Sequence, residues 1–222
     1  MDMIMLSPAG GSLRCALRRS RRVDSPYRYW LPHGVLPFEL AQALAELPFP
    51  APVVGDTLGK RETHNQQRIF VAPSVRARFP ACSELAEAFQ DEATVGLLQD
   101  MTGATLEGGY LRIECCLDGD GFWLEPHTDI GAKMLTLLVY LSDHPDAADW
   151  GTDVMDRDGT VLARAPGTFN DGLMFVPGAD TWHGFTRRPI GGVRRSLIVN
   201  YVRPEWRSRH ELAFPDQPVV AA

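Results

Sequence analysis

Residues 122–141 read FWLEPHTDIGAKMLTLLVYL, and this stretch sets two kinds of strand beside each other. Its second part, Met134 to Leu141, is an almost unbroken apolar run, the pattern of a strand buried on both faces. Its first part, Phe122 to Asp129, is mixed, and it places His127 and Asp129 two residues apart. In an extended segment residues at that spacing share a face, while Thr128 points away. Just upstream, Tyr110 to Cys116 alternates, and Asp118-Gly119-Asp120-Gly121 is a strong turn signal. Downstream, Trp150–Met155, Thr160–Ala163, Gly172–Val176, Asp180–Phe185 and Arg195–Val202 are short strand candidates bounded by Gly, Pro, Asp or Asn. Many short strands separated by such turns predict a mainly β fold with supporting α-helices, a sandwich or jelly roll with its core over about 108–203.

The N-terminal half reads differently. Leu40, Leu44 and Leu47 recur at helical spacing after Pro37, and Pro48, Pro50 and Pro52 stop that helix. Ser83–Gln90 and Ala93–Met101 predict two more helices, with Gly103 as a C-terminal stop. Residues 1–26 mix Gly, Ser and Arg with little periodicity and are expected to form a loose N-terminal arm. Residues 27–222 are expected to form one domain, with a polar tail after Glu205 that frays at its end.

Composition bounds the function. The 222 residues include 45% hydrophobic and 23% charged side chains, ordinary globular values. The formal net charge of −6 gives no global basic footprint and argues against a dedicated nucleic-acid partner. Cys15, Cys82, Cys115 and Cys116 show neither a disulfide framework nor zinc-ligand spacing. With no signal-peptide core and no apolar run of membrane-spanning length, the expectation is a cytoplasmic protein with no membrane partner.

The chemistry is carried by His127 and Asp129 together with His183, which lies in Trp182-His183-Gly184-Phe185 on a different predicted strand. Two imidazoles and one carboxylate with open positions suit Fe(II), and the same donor set also occurs in hydrolytic zinc sites. Arg194 and Ser196 share a face at the start of the last apolar strand, and an arginine fork is suited to bidentate recognition of a carboxylate. A dicarboxylic co-substrate is therefore expected inside the barrel, with Arg195 pointing outward.

Taken together, His127-x-Asp129, His183 within Trp-His-Gly-Phe, and Arg194-x-Ser196 resemble the 2-oxoglutarate and Fe(II)-dependent oxygenases, most closely their prolyl 4-hydroxylase-like branch. The resemblance covers about Gly108 to Tyr201. It implies a double-stranded β-helix (cupin-like) core and iron ligation by His127, Asp129 and His183. It further implies that Arg194 binds the distal carboxylate of 2-oxoglutarate, with Tyr140 assisting and Ser196 a candidate for the same role. Dioxygen is the implied second co-substrate, and the implied reaction is hydroxylation of a C–H bond with release of succinate and CO2.

A small molecule, such as an amino acid or biosynthetic intermediate, is the first expectation for the substrate, and a prolyl residue in a protein is the second. Arg61, His64, Arg112 and Glu114 are candidate substrate contacts, although Arg112 and Glu114 read equally well as a same-face ion pair. Arg188 and Arg194 share the spacing of a nucleic-acid repair signature, but Pro189, Gly191 and Gly192 interrupt it with a turn. A non-catalytic cupin-like metal-binding or sensing protein and a zinc hydrolase are the competing classes.

Overall fold

The computed structural model describes residues 8–51, 57–60 and 68–222. Its elements are α1 (Pro8–Arg18), β1 (Arg21–Val23), β2 (Tyr29–Leu31), α2 (Phe38–Ala45), β3 (Ile69–Phe70), α3 (Pro73–Arg78), α4 (Pro80–Gln90), α5 (Glu92–Thr102), β4 (Tyr110–Asp118), β5 (Leu124–His127), β6 (Lys133–Tyr140), β7 (Asp153–Met155), β8 (Val161–Arg164), β9 (Gly172–Phe175), β10 (His183–Phe185) and β11 (Arg194–Val202). Among the described residues they form a seven-stranded sheet, ordered β1-β2-β9-β6-β11-β4-β3, and a four-stranded sheet, ordered β5-β10-β7-β8. All of the strand pairs are antiparallel. This is the sheet-rich, jelly-roll-like arrangement that the turn spacing predicts.

The alternation of side chains along β6 and β11 builds two cores. Leu135, Leu137 and Val139 of β6, with Leu197, Val199 and Tyr201 of β11, pack against the helices, and Leu85, Phe89, Val95 and Leu98 answer from α4 and α5. Each fully buried leucine there stabilises the layer by roughly 1.5–3 kcal/mol. The Tyr201 hydroxyl also donates to the Phe89 carbonyl at 2.5 Å, which ties β11 to α4. On the other face, Leu138, Tyr140, Leu173 and Phe175 meet Val154 of the smaller sheet. The barrel interior is therefore the space between the two sheets, and the predicted helices α2, α4 and α5 brace it from outside. Gly103 ends α5 in the left-handed conformation, φ +77°, that its stop role requires.

The N-terminal segment corrects the expectation of a loose arm. Residues 8–18 form a helix whose Ala9, Leu13 and Leu17 are fully buried against α4 and α5. Arg14 pairs with the Asp91 carboxylate, which also caps α5 through the Thr94 N–H at 3.0 Å. Gly10 and Gly11 disfavour an isolated helix, so tertiary burial stabilises this one. The C-terminal tail is also packed: Val219 is 1% exposed, and its N–H donates to the Gly109 carbonyl at 2.8 Å. Among the described residues, no helix is long and apolar enough to cross a membrane.

Candidate metal centre

His127 ends β5 and His183 begins β10, and the antiparallel register sets them directly opposite each other. Their rings lie 4.4 Å apart between centroids. Gly184 makes this closeness of strands possible, because a Cβ there would sit 2.9 Å from the Leu124 carbonyl oxygen of β5. Asp129 follows just beyond β5, in the connection to β6. The ligand atoms of His127, Asp129 and His183 all lie within 4.8 Å of one another, the one such cluster among the described residues.

Hydrogen bonding sets the tautomers. His127 Nδ1 is 2.9 Å from the Glu125 carbonyl oxygen, and His183 Nδ1 is 2.9 Å from the Thr181 carbonyl oxygen. A carbonyl only accepts, so both Nδ1 atoms carry the proton and both Nε2 lone pairs are free for a metal. Burial, reinforced by the neighbouring His127, pushes the His183 pKa down to about 4 against the pull of Asp129. Burial works the other way at Asp129, but Lys133 and His183 outweigh it and hold the carboxyl at about 2. At neutral pH the site therefore offers a neutral His183 and a carboxylate.

The depressed His183 pKa has a measurable consequence. Between pH 6.5 and about 4 the unfolded chain binds a proton at this residue that the folded chain refuses, so stability falls on acidification. The full effect is about 3 kcal/mol. Urea denaturation of the metal-free protein at pH 7.0, 5.5 and 4.5 should show this loss, and His183→Phe should flatten it. An unchanged pH slope in the variant would remove His183 as the cause.

A narrow cavity of about 60 Å³ joins the cluster to Arg194, with Lys133, Thr136, Leu138, Thr152, Phe185 and Ile198 among its lining residues. Arg194 is 3% exposed. Its Nε donates to the Trp150 carbonyl at 2.6 Å, and its Nη1 donates to Asp118 at 2.5 Å. Arg195 instead borders a separate open groove of about 580 Å³ with Phe38, Asp143, His144 and Phe169. That groove is the larger of the two and contains none of the metal cluster. The two arginines thus face opposite sides of β11, as alternation predicts.

Tyr140 and Ser196 are cross-strand partners, with Ser196 two residues along β11 from Arg194; neither lines the metal cavity itself. The Tyr140 oxygen accepts from the Thr152 N–H at 3.1 Å, which leaves its own proton available for a ligand oxygen. Burial raises its pKa, so it remains a donor. The Ser196 Oγ is buried without a hydrogen-bond partner. An orphaned hydroxyl beside a free phenol proton and a buried guanidinium fits a carboxylate-bearing co-substrate.

Arg112 and Glu114 adopt the ion-pair alternative. They pair at 2.9 Å while almost completely buried, and Arg112 also reaches Glu211 at 2.6 Å and Asn200 Oδ1 at 3.1 Å. Arg68 binds Glu114 through two nitrogens at 2.8 and 2.6 Å. Neither Arg112 nor Glu114 lines the metal cavity. Arg61 and His64 lie outside the described residues. Arg188 is engaged with Asp153 at 2.8 Å. Sequence reasoning missed Lys133, Thr136, Asn200 and Asp118, whose positions depend on strand register. The one usable signal was that Asp118 and Arg194 end and begin long alternating strands.

No family model matches the sequence, and no curated protein matches it. Solved structures do. A Pseudomonas putida prolyl-4-hydroxylase aligns with TM-score 0.53 at 18% identity, over 88% of this chain and 95% of that one. A Trichoplax adhaerens prolyl hydroxylase, solved in complex with a hypoxia inducible factor oxygen degradation domain peptide fragment, aligns with TM-score 0.55 at 13% identity, over 90% and 91%. An oxidoreductase of the 2OG-Fe(II) oxygenase family from Burkholderia pseudomallei gives TM-score 0.51 at 18% identity, over 87% and 91%. The chain has the fold of these oxygenases, and it carries a His-Asp-His cluster inside that fold.

Proposed function

We propose that the protein is an Fe(II)- and 2-oxoglutarate-dependent dioxygenase that hydroxylates an unactivated C–H bond of a small molecule. The observation that carries this reading is the pair of Nδ1-locked histidines beside Asp129. Two Nε2 atoms and a carboxylate form a facial set that leaves positions open for a co-substrate and dioxygen. Bound there, Fe(II) with 2-oxoglutarate and dioxygen supplies an oxidative decarboxylation to succinate and CO2, with the second oxygen atom inserted into the substrate C–H bond.

The chain's own residues bind, orient and shield. His127, Asp129 and His183 would hold the iron, and Arg194, Tyr140 and Ser196 would hold the distal carboxylate of 2-oxoglutarate. Phe175, 4.8 Å from the His183 ring, and Phe185, which borders the cavity, exclude water from the centre. A zinc hydrolase would share the three ligands but would make no use of the Arg194–Tyr140–Ser196 group.

A free amino acid or biosynthetic intermediate is the preferred substrate class, supported by a narrow cavity of about 60 Å³. A peptide is the second reading, favoured by the Trichoplax adhaerens neighbour, whose structure holds a peptide fragment. The test is anaerobic reconstitution with Fe(II) or Zn(II), followed by succinate quantification in air with 2-oxoglutarate. Succinate formed with iron alone, and stimulated by amino acids or by prolyl peptides, is the expected result and separates the two substrate classes. Failure to form succinate with iron would overturn the reading.

A further inference from the structure

Both oxygens of Asp129 accept a hydrogen bond, from partners of very different character. Oδ2 accepts from the Thr136 hydroxyl at 2.6 Å. That hydroxyl accepts from Asn200 Nδ2 at 2.9 Å, and Asn200 Oδ1 accepts from Arg112 Nη1 at 3.1 Å. An arginine can only donate, so every bond in the chain has a forced direction and the single Thr136 proton is committed to Asp129. Thr136, Asn200 and Arg112 are all at most 2% exposed. This side of the carboxylate is fixed.

Oδ1 accepts from Lys133 Nζ at 2.5 Å. Lys133 opens β6, retains 18% of its side-chain exposure and borders the metal cavity. It is a flexible four-carbon stem with one point charge. Each carboxylate oxygen keeps a second lone pair for a metal at the His-Asp-His cluster, and Oδ1 is the one whose donor is not held in a buried network. An ammonium and a dication about 4 Å apart repel strongly in a partly buried site. A bound metal would weaken the hold of Lys133 on Asp129, while the four-carbon stem would keep the ammonium at the cavity wall.

Resting on the iron-oxygenase reading, we propose that Lys133 is a built-in competitor for the metal which, once displaced, anchors a carboxylate group of the substrate next to the reactive centre. The ammonium is a compact point charge, suited to a single carboxylate group in a narrow cavity. The substrate class narrows accordingly to a small molecule or side chain bearing a free carboxylate, as an amino acid does.

Two measurements test this. Mn(II) titration of the metal-free protein, read by the EPR signal of free Mn(II), should show Lys133→Met binding roughly tenfold more tightly than wild type, because a competing cation is gone. Lys133→Arg should stay near wild type, and Thr136→Val should bind more weakly because Oδ2 loses its fixed donor. In the Co(II)-loaded protein saturated with 2-oxoglutarate, trifluoroacetate should show a saturable paramagnetic enhancement of its ¹⁹F relaxation that Lys133→Met abolishes. Saturation with 2-oxoglutarate keeps the probe off Arg194. Equal or weaker Mn(II) binding in Lys133→Met overturns the competitor role, and equal ¹⁹F enhancement in both proteins overturns the anchor. Absence of Mn(II) binding in every variant, by contrast, removes the metal-centre reading itself.

Discussion

Replacing Asp129 with alanine is expected to abolish Fe(II)-dependent succinate formation, a loss of roughly three orders of magnitude or more, which places it among the largest single-residue effects in this protein. Asp129 is the only carboxylate of the cluster, so its removal leaves two imidazoles and no anion to hold a dication. The loss is compounded by Lys133, whose ammonium has Asp129 as its counter-charge. Without the carboxylate, an uncompensated cation remains beside the metal position. This predicts a graded series for Mn(II) affinity: wild type above Asp129→Ala/Lys133→Met, and that double variant above Asp129→Ala alone. Catalysis should not return in the double variant, because methionine restores neither a ligand nor the geometry held by Thr136. Thermal unfolding of each metal-free protein separates these effects from misfolding. Full activity in Asp129→Ala would sink the iron assignment, and a double variant no better than the single one would show that Lys133 does not oppose the metal.

The difference between what the sequence disclosed about this centre and what it hid is physical. His127 and Asp129 are legible because a spacing of two in an extended segment is local geometry, and His183 because its aromatic and glycine neighbours mark a packed strand. Arg194 and Ser196 follow from the same alternation, and the structure sets Arg194 and Arg195 on opposite sides of β11. Thr136 and Asn200 could not be found this way. They are ordinary strand residues until the β6–β11 register pairs them, and only then does the relay from Arg112 to Asp129 exist. Glu211 is hidden for the same reason, since it reaches Arg112 from a segment 99 residues away.

The helix α1 was hidden by composition. Two glycines and a run of arginines mask the Ala9, Leu13 and Leu17 stripe, and that stripe pays only when α4 and α5 are there to cover it. In each case the unread feature depends on a long-range partner, whereas the legible ones depend on residues within a single strand.

The second large effect concerns Arg194, and its expected size depends on Asp118. Substituting alanine or methionine alone should weaken 2-oxoglutarate binding by roughly two orders of magnitude, since a desolvated carboxylate would lose its guanidinium partner. The same change leaves Asp118, 1% exposed, without its 2.5 Å ion-pair partner, and breaking such a buried pair costs about 3–5 kcal/mol of folding stability. A loss of activity in Arg194→Met could therefore arise from either cause. Arg194→Met combined with Asp118→Asn removes the carboxylate charge that faced Arg194. Its melting temperature should recover toward wild type while its 2-oxoglutarate affinity, measured by titration of the Mn(II)-loaded protein, stays low. Arg195→Ala, on the opposite side of the strand, should change that affinity by less than about twofold, as expected of a surface substitution remote from the ligand. Recovery of binding together with stability in the double variant would assign Arg194 a purely structural role. Equal losses from Arg194→Met and Arg195→Ala would place the co-substrate elsewhere.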